Sequence, residues 1–233
     1  MNIEEERYSK IFNSLDYKSD MYIDILVSKI KEIMLKRIMF INNSSNDDKT
    51  DEFFIILKDT LLKIYKKNEP IKFIGMGHTS LVFKIDEKVI KIGKTNMDMS
   101  KYRKNLPCLI PLLLDTYYKI DERKYYNLQI TPYVENKMLN YEDVYILYKK
   151  LREYGYIWND PTINNIGIIK EDIFINDIYY KKGNLVILDL EDIAYVGKDI
   201  SDIVLEEIAI SSYNKDVYNF EMRYINELKN KVL

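Results

Sequence analysis

The chain has 233 residues, 47% of them hydrophobic, enough for one two-lobed domain or two small domains with a real core. A net charge of −2 argues against a partner held by bulk electrostatics, so no nucleic-acid role is expected. One cysteine, Cys108, excludes an internal disulfide framework, and one histidine beside it cannot complete a conventional zinc site.

The N-terminus "MNIEEERYSK" is polar and acidic, so no signal peptide is expected. The longest apolar runs, Phe53–Leu57 and Cys108–Leu114, are too short to cross a bilayer, and no membrane span is expected. With the lone cysteine, this suits the cytoplasm.

In chain order, Met21–Phe40 predicts a helix with Ile23, Leu26 or Val27, Ile30, Ile33 or Met34 and Ile38 on one stripe. Ile41–Thr50 is a polar break, and Asp51–Lys67 predicts a second helix capped by Thr50 or Asp51. From Ile71 the period falls to two. "IKFIGMGH", "SLVFKI" and "KVIKIGK" predict short strands, and Lys94–Asn105 a short helix. "CLIPLLLDTYYKI" and "YYNLQITPYVE" predict a hairpin around "DERK". Tyr141–Gly155 is the clearest helix, with Asn140 and Asp143 as a capping box and Gly155 as its left-handed exit. A long hairpin (Ile166–Ile169 with Leu185–Leu188) and a helical tail over Asp202–Lys231 follow.

Strands first and helices later predict an α+β chain. The expected divisions are a helical extension over residues 1–68, a five-stranded antiparallel lobe over 69–131, and a mainly helical lobe over 132–233, joined near Thr131–Asn136.

Three motifs carry chemistry. In "GMGHTSLVFKI", Gly75, Gly77 and Ser80 follow G-x-G-x-x-S between strands, and Val82 comes two residues later. Small residues let backbone N–H groups approach a polyphosphate, and Val82 could pack on an adenine; a turn with two glycines is also common. A strand rather than a helix follows, which disfavours a dinucleotide-binding loop. Lys91 in "VIKIGK" alternates with apolar neighbours, so it is either a phosphate-neutralising lysine or a solvent-facing one. Asp160 and Asn165 stand five positions apart, and Asp189 closes an apolar strand. A carboxylate at the end of a buried strand calls for a cation or donor. Asn165 and Asp189 offer the hard oxygens magnesium prefers, leaving Asp160 to orient and deprotonate a hydroxyl. Ordinary turn acids are the plainer account of each taken singly.

Phosphate loop, strand lysine, hinge, helix, D-x-x-x-x-N, strand and D-x-[DE] stand in that order from Ile71 to about Val196. In this the chain resembles the protein-kinase-like superfamily. "YKKLREYGYIWNDPTINNIGII" and "LVILDLEDI" resemble compact, atypical bacterial kinases of the Firmicutes type. The resemblance implies a bilobal fold with a reduced C-terminal lobe and ATP and Mg2+ as cofactors. Lys91 would hold the α- and β-phosphates, Asp160 would be the catalytic-loop base, and Asn165 and Asp189 would bind the metal with help from Glu191. Thr131 would be the gatekeeper and Pro132, Tyr133 and Val134 the adenine-facing hinge.

Trp158 and Asn159 stand where the family has His and Arg, Thr162 where protein kinases have a lysine, and Asp189-Leu190-Glu191 where they have D-F-G. Where the family has a helix Glu that pairs with the strand lysine, Asp98 is the one acid between Lys94 and Leu106, short and early for that reach; Glu135 or an acid of the N-terminal extension could substitute. The expected activity is therefore an ATP- and Mg-dependent transfer of the γ-phosphate to a protein or small-molecule hydroxyl. The alternative is a pseudokinase acting as a nucleotide-binding or scaffolding module. The N-terminal helices either complete their own domain's core or serve a homodimer or partner.

Overall fold

The computed structural model describes residues 3–38, 47–67, 69–77, 79–95, 105–122, 124–136, 138–190, 192–198 and 201–231. The chain is α+β. Among the described residues it has six α-helices and a five-stranded antiparallel sheet with three two-stranded ladders. It divides into two compact units. Unit 1 is Met1–Arg103 with Leu112–Tyr133, and unit 2 is Lys104–Pro111 with Val134–Leu233.

Unit 1 begins with three helices: α1 (Ile3–Asn13), α2 (Tyr22–Ile38) and α3 (Asp47–Ile64). Strands β1 (Lys72–Met76), β2 (Ser80–Ile85), β3 (Lys88–Thr95), β4 (Leu114–Asp121) and β5 (Lys124–Pro132) form a sheet in the order β1-β2-β3-β5-β4. Their alternation sorts two faces. One carries Leu81, Phe83, Ile90, Ile92, Tyr126, Leu128 and Ile130, and it shares one core with Phe12, Leu26, Ile30, Phe53 and Leu57 of the helices. Phe12 stacks on Phe73 at 5.3 Å and meets Phe83 edge-on at 4.9 Å, while Phe53 stacks on Tyr126 at 4.7 Å. The helices thus complete the core of the sheet they precede. The opposite face is polar.

Local differences from the sequence expectation have plain causes. The short α1 carries only Tyr8 and Phe12 as buried residues, too few to show a stripe. Thr50 and Asp51 do not cap α3 but lie inside it, and Thr50 is buried and hydrogen-bonds the Tyr126 hydroxyl. Lys94 and Thr95 end β3 instead of opening a helix, and residues 96–104 lie outside the described residues. Cys108–Ile110 does not join the hairpin of β4 and β5. Its backbone borders a unit 2 strand, with Ile110 N–H on Ile187 O at 2.9 Å and Ile187 N–H on Cys108 O at 2.8 Å.

In unit 2, α4 (Tyr141–Glu153) starts on the expected capping box: the Asn140 side chain accepts from the Glu142 and Asp143 N–H groups, and Asp143 reaches back to the Asn140 N–H. It ends at Gly155, φ +87°. Then come β6 (Tyr156–Trp158), β7 (Ile166–Ile168), β8 (Ile173–Ile175), β9 (Ile178–Tyr180), β10 (Leu185–Ile187) and β11 (Ile193–Tyr195). Ladders form between β7 and β10, β6 and β11, and β8 and β9. The expected single tail is two helices, α5 (Asp202–Ser211) and α6 (Lys215–Lys231). Helix α6 is fixed to α4 by a fully buried pair, Arg152 Nε to Glu221 Oε1 at 2.9 Å, and by the Tyr148 hydroxyl donating to Glu221 at 2.7 Å. No described helix is long and apolar enough to cross a membrane.

Candidate functional site

The polar face of the unit 1 sheet carries four of the sequence-predicted nucleotide residues, Ser80, Val82, Lys91 and Thr131. Cross-strand register places Val82, Lys91, Gln129 and Asp115 in one row, and Ser80, Gly93, Asn127 and Tyr117 in the next. Thr131, paired with Val89, lies on this same face one row beyond Gln129. Alternation explains the arrangement, because the partners that turn Ile90 and Ile92 into the core turn Lys91 out of it. Lys91 is half-buried. Gln129 is buried, and its amide donates to Asp115 at 3.1 Å and reaches the Tyr117 hydroxyl at 3.4 Å.

The glycine turn joins β1 and β2. Gly77 N–H donates to Ser80 O at 2.9 Å, and Lys94 N–H to Thr79 O at 3.0 Å. A Cβ on Gly77 would lie 2.8 Å from Ser80 Oγ, so any side chain there would force the Ser80 hydroxyl to shift. Gly75 sits at a register shift in β1, facing the Glu5 carboxylate of α1 at 3.4 Å from where its Cβ would be. Pro132 ends β5. Tyr133 N–H donates to Glu87 O at 2.8 Å, and the Lys84 ammonium lies 3.8 Å over the Tyr133 ring.

Unit 2 holds the other candidates. Val134 packs on Gly167, where a Cβ would approach Val134 Cγ2 to 2.4 Å. The next residue, Glu135, exchanges backbone hydrogen bonds with Ile168 (3.1 and 2.7 Å) and pairs with Lys170 at 3.7 Å. Asp160 and Asn165 are brought into contact. The Asn165 amide donates to Asp160 Oδ2 at 2.7 Å and to the Asp160 carbonyl at 3.2 Å. A short 3-10 turn, Ile163–Asn165, makes this reach possible, with Thr162 N–H on the Asp160 carbonyl at 3.0 Å. Asn165 O accepts from Leu188 N–H at 2.8 Å, continuing the pairing of Ile166 with Ile187. Register therefore sets Asp189 just past the end of β10, at the same end of the ladder as Asn165.

Asn165 and Asp189 carry oxygen donors, the atom type that hard divalent cations take. With its Nδ2 committed to Asp160, Asn165 keeps its carbonyl oxygen as acceptor, and Asp189 supplies a carboxylate. Glu191, the further expected ligand, lies outside the described residues, as does Asp98. Among the described residues, no group of three or more His, Cys, Asp or Glu is arranged to hold a metal.

Sequence reasoning met Trp158 and Asn159 only as departures from the family motif, and it missed Asn214, which reaches the loop from 55 positions away. Trp158 is fully buried in β6, and Asn159 is bonded on both sides: its N–H donates to Asp192 O at 2.8 Å and its carbonyl accepts from Asn214 at 2.9 Å. The one local signal for Asn214 was its place as a cap before Lys215. No protein-family model matches the chain, and no curated protein matches it.

Proposed function

We propose that the protein is an ATP- and magnesium-dependent phosphotransferase that moves the γ-phosphate to a hydroxyl of a protein or small molecule. The observation that carries this reading is the Asp160–Asn165 contact at the end of the β7–β10 ladder, beside the position of Asp189. A catalytic carboxylate has to be held in one orientation, and a metal-binding amide has to present its oxygen. One hydrogen bond does both here.

Magnesium supplies charge neutralisation on the phosphates when bound. Asn165 and Asp189 would hold it, with Glu191 as a further candidate. Lys91, on the polar sheet face with Val82, Thr131 and the Gly75–Ser80 turn, would hold the α- and β-phosphates. Pro132 lacks an N–H but keeps a carbonyl for the adenine amine, Val134 offers its N–H to the ring, and Tyr133 lies between them. Asp160 Oδ2 is engaged by Asn165, so Oδ1 takes the acceptor proton. The acceptor oxygen bonds the γ-phosphorus as the bond to the β,γ-bridging oxygen breaks, and ADP leaves with that electron pair. The work asked of the protein is positioning and charge neutralisation.

The test is incubation with magnesium-ATP, followed by mass spectrometry of the protein and of candidate acceptors and by ADP measurement. Transfer or ATP hydrolysis above an Asp160→Ala control is expected. Stabilisation by ATP with no metal effect and no turnover would instead identify a nucleotide-binding module.

A further inference from the structure

Asn214 lies in the turn between α5 and α6, far in sequence from the candidate base, and its side chain has two engagements. Its Oδ1 accepts from Asp216 N–H at 2.9 Å, which caps the first turn of α6. Its Nδ2 donates to the carbonyl of Asn159 at 2.9 Å, across 55 positions of chain. Asn159 immediately precedes Asp160, and its own N–H is held by Asp192 O at 2.8 Å.

The backbone on both sides of Asp160 is therefore tied. Its preceding carbonyl is held by Asn214, and its own carbonyl by Thr162 N–H and the Asn165 amide. The turn that carries Asn214 is itself braced: Ser212 Oγ accepts from Asn214 N–H at 3.3 Å and donates to Asn214 O at 3.1 Å. Behind it, α6 is anchored by the buried Glu221–Arg152 pair and by a bidentate Arg223–Glu142 pair at 2.7 and 2.6 Å.

We infer that Asn214 is a positioning residue for Asp160, transmitting the fixed placement of α6 to the loop that carries the carboxylate. This inference rests on the phosphotransferase reading, because a turn acid without chemistry has no need of such placement. A displacement of about 1 Å at a reacting group can cost about 100-fold in rate, so a hydrogen bond to the adjoining peptide has leverage.

Asn214→Asp separates the two engagements. Aspartate caps a helix as well as asparagine does, but it sets an oxygen, not a donor, against the Asn159 carbonyl. Asn214→Ala removes both. Hydrogen exchange read by mass spectrometry on the full chain should show the Asp160–Asn165 amides of the Asp variant exchanging about tenfold faster, with α6 as protected as in the wild type. Its kcat should fall about 10- to 100-fold while KM for ATP stays within about twofold. The Ala variant should show the same loosened loop and a frayed start of α6.

Wild-type exchange in the loop of Asn214→Asp, or a loosened loop with unchanged kcat, overturns the inference and leaves Asn214 as a helix cap alone. A loosened loop in a protein whose wild type transfers no phosphate upholds the tie to Asp160 and contradicts the phosphotransferase reading instead.

Discussion

Gly167 has no room for a methyl group: its Cβ would stand 2.4 Å from Val134 Cγ2 and 3.3 Å from Leu188 Cδ2. Gly167→Ala must push Val134 away or bend β7, at a cost of about 1–3 kcal/mol. Thermal unfolding should report that loss, and ATP affinity should fall with it if Val134 N–H meets the adenine ring. Asp160→Asn makes a contrasting change, because it keeps the shape of the loop and removes the proton acceptor. ATP affinity should persist while turnover drops by about 10²–10⁴. Cys108 offers a check on burial. Desolvation pushes its thiol up to about 12, so almost no thiolate exists at neutral pH. A disulfide-exchange reagent should label it only as the protein unfolds, and rapid labelling of the native chain would contradict the packing around it.

Among the elements, α4 and α6 depend on each other. Burial pushes the Glu221 carboxyl up, and the Tyr148 hydroxyl and Arg152 partly offset this. Glu221→Ala leaves Arg152 buried without its counter-charge and should cost about 3–5 kcal/mol in denaturant unfolding. Replacing both partners with apolar residues of similar size should cost far less. At the rim the sign reverses. Arg223 holds the Glu142 carboxyl below its ordinary range, and Lys149 does the same for Glu227. Their stabilisation is present above the ordinary carboxylate range and is lost as pH falls through the lowered values.

Elements with local signatures were legible in the sequence: α4 through its capping box, and β2 and β3 through strict alternation with Lys91 on the polar side. The pairing of β6 with β11 was not, since three-residue strands show no period. The β8–β9 hairpin turns on Asn176 and Asp177, both at positive φ, a signal present in "IFINDIYY" and passed over. For the candidate site, the spacing of Asp160 and Asn165 was readable, and their hydrogen bond follows from a local turn. The ties from Asn214 and Glu221 reach across 55 and 73 positions and leave no local pattern.

At the scale of the whole molecule, the N-terminal helices are part of unit 1 and not an appendage to it. Deleting Met1–Lys67 removes Phe12, Leu26, Ile30, Phe53 and Leu57 from the core they share with the sheet. The truncated chain should lose the cooperative unfolding of unit 1 by circular dichroism. Each unit carries its own part of the proposed chemistry, a polar sheet face with Lys91 in one and the Asp160–Asn165 loop in the other. The proposed transfer calls on residues of both. The most direct measurement is therefore γ-phosphate transfer by the full chain with magnesium-ATP, with Asp160→Ala and Lys91→Met beside it. The account predicts transfer or ATP hydrolysis by the wild type, strongly reduced in both variants. Equal signals from all three proteins, or none from the wild type, would contradict it.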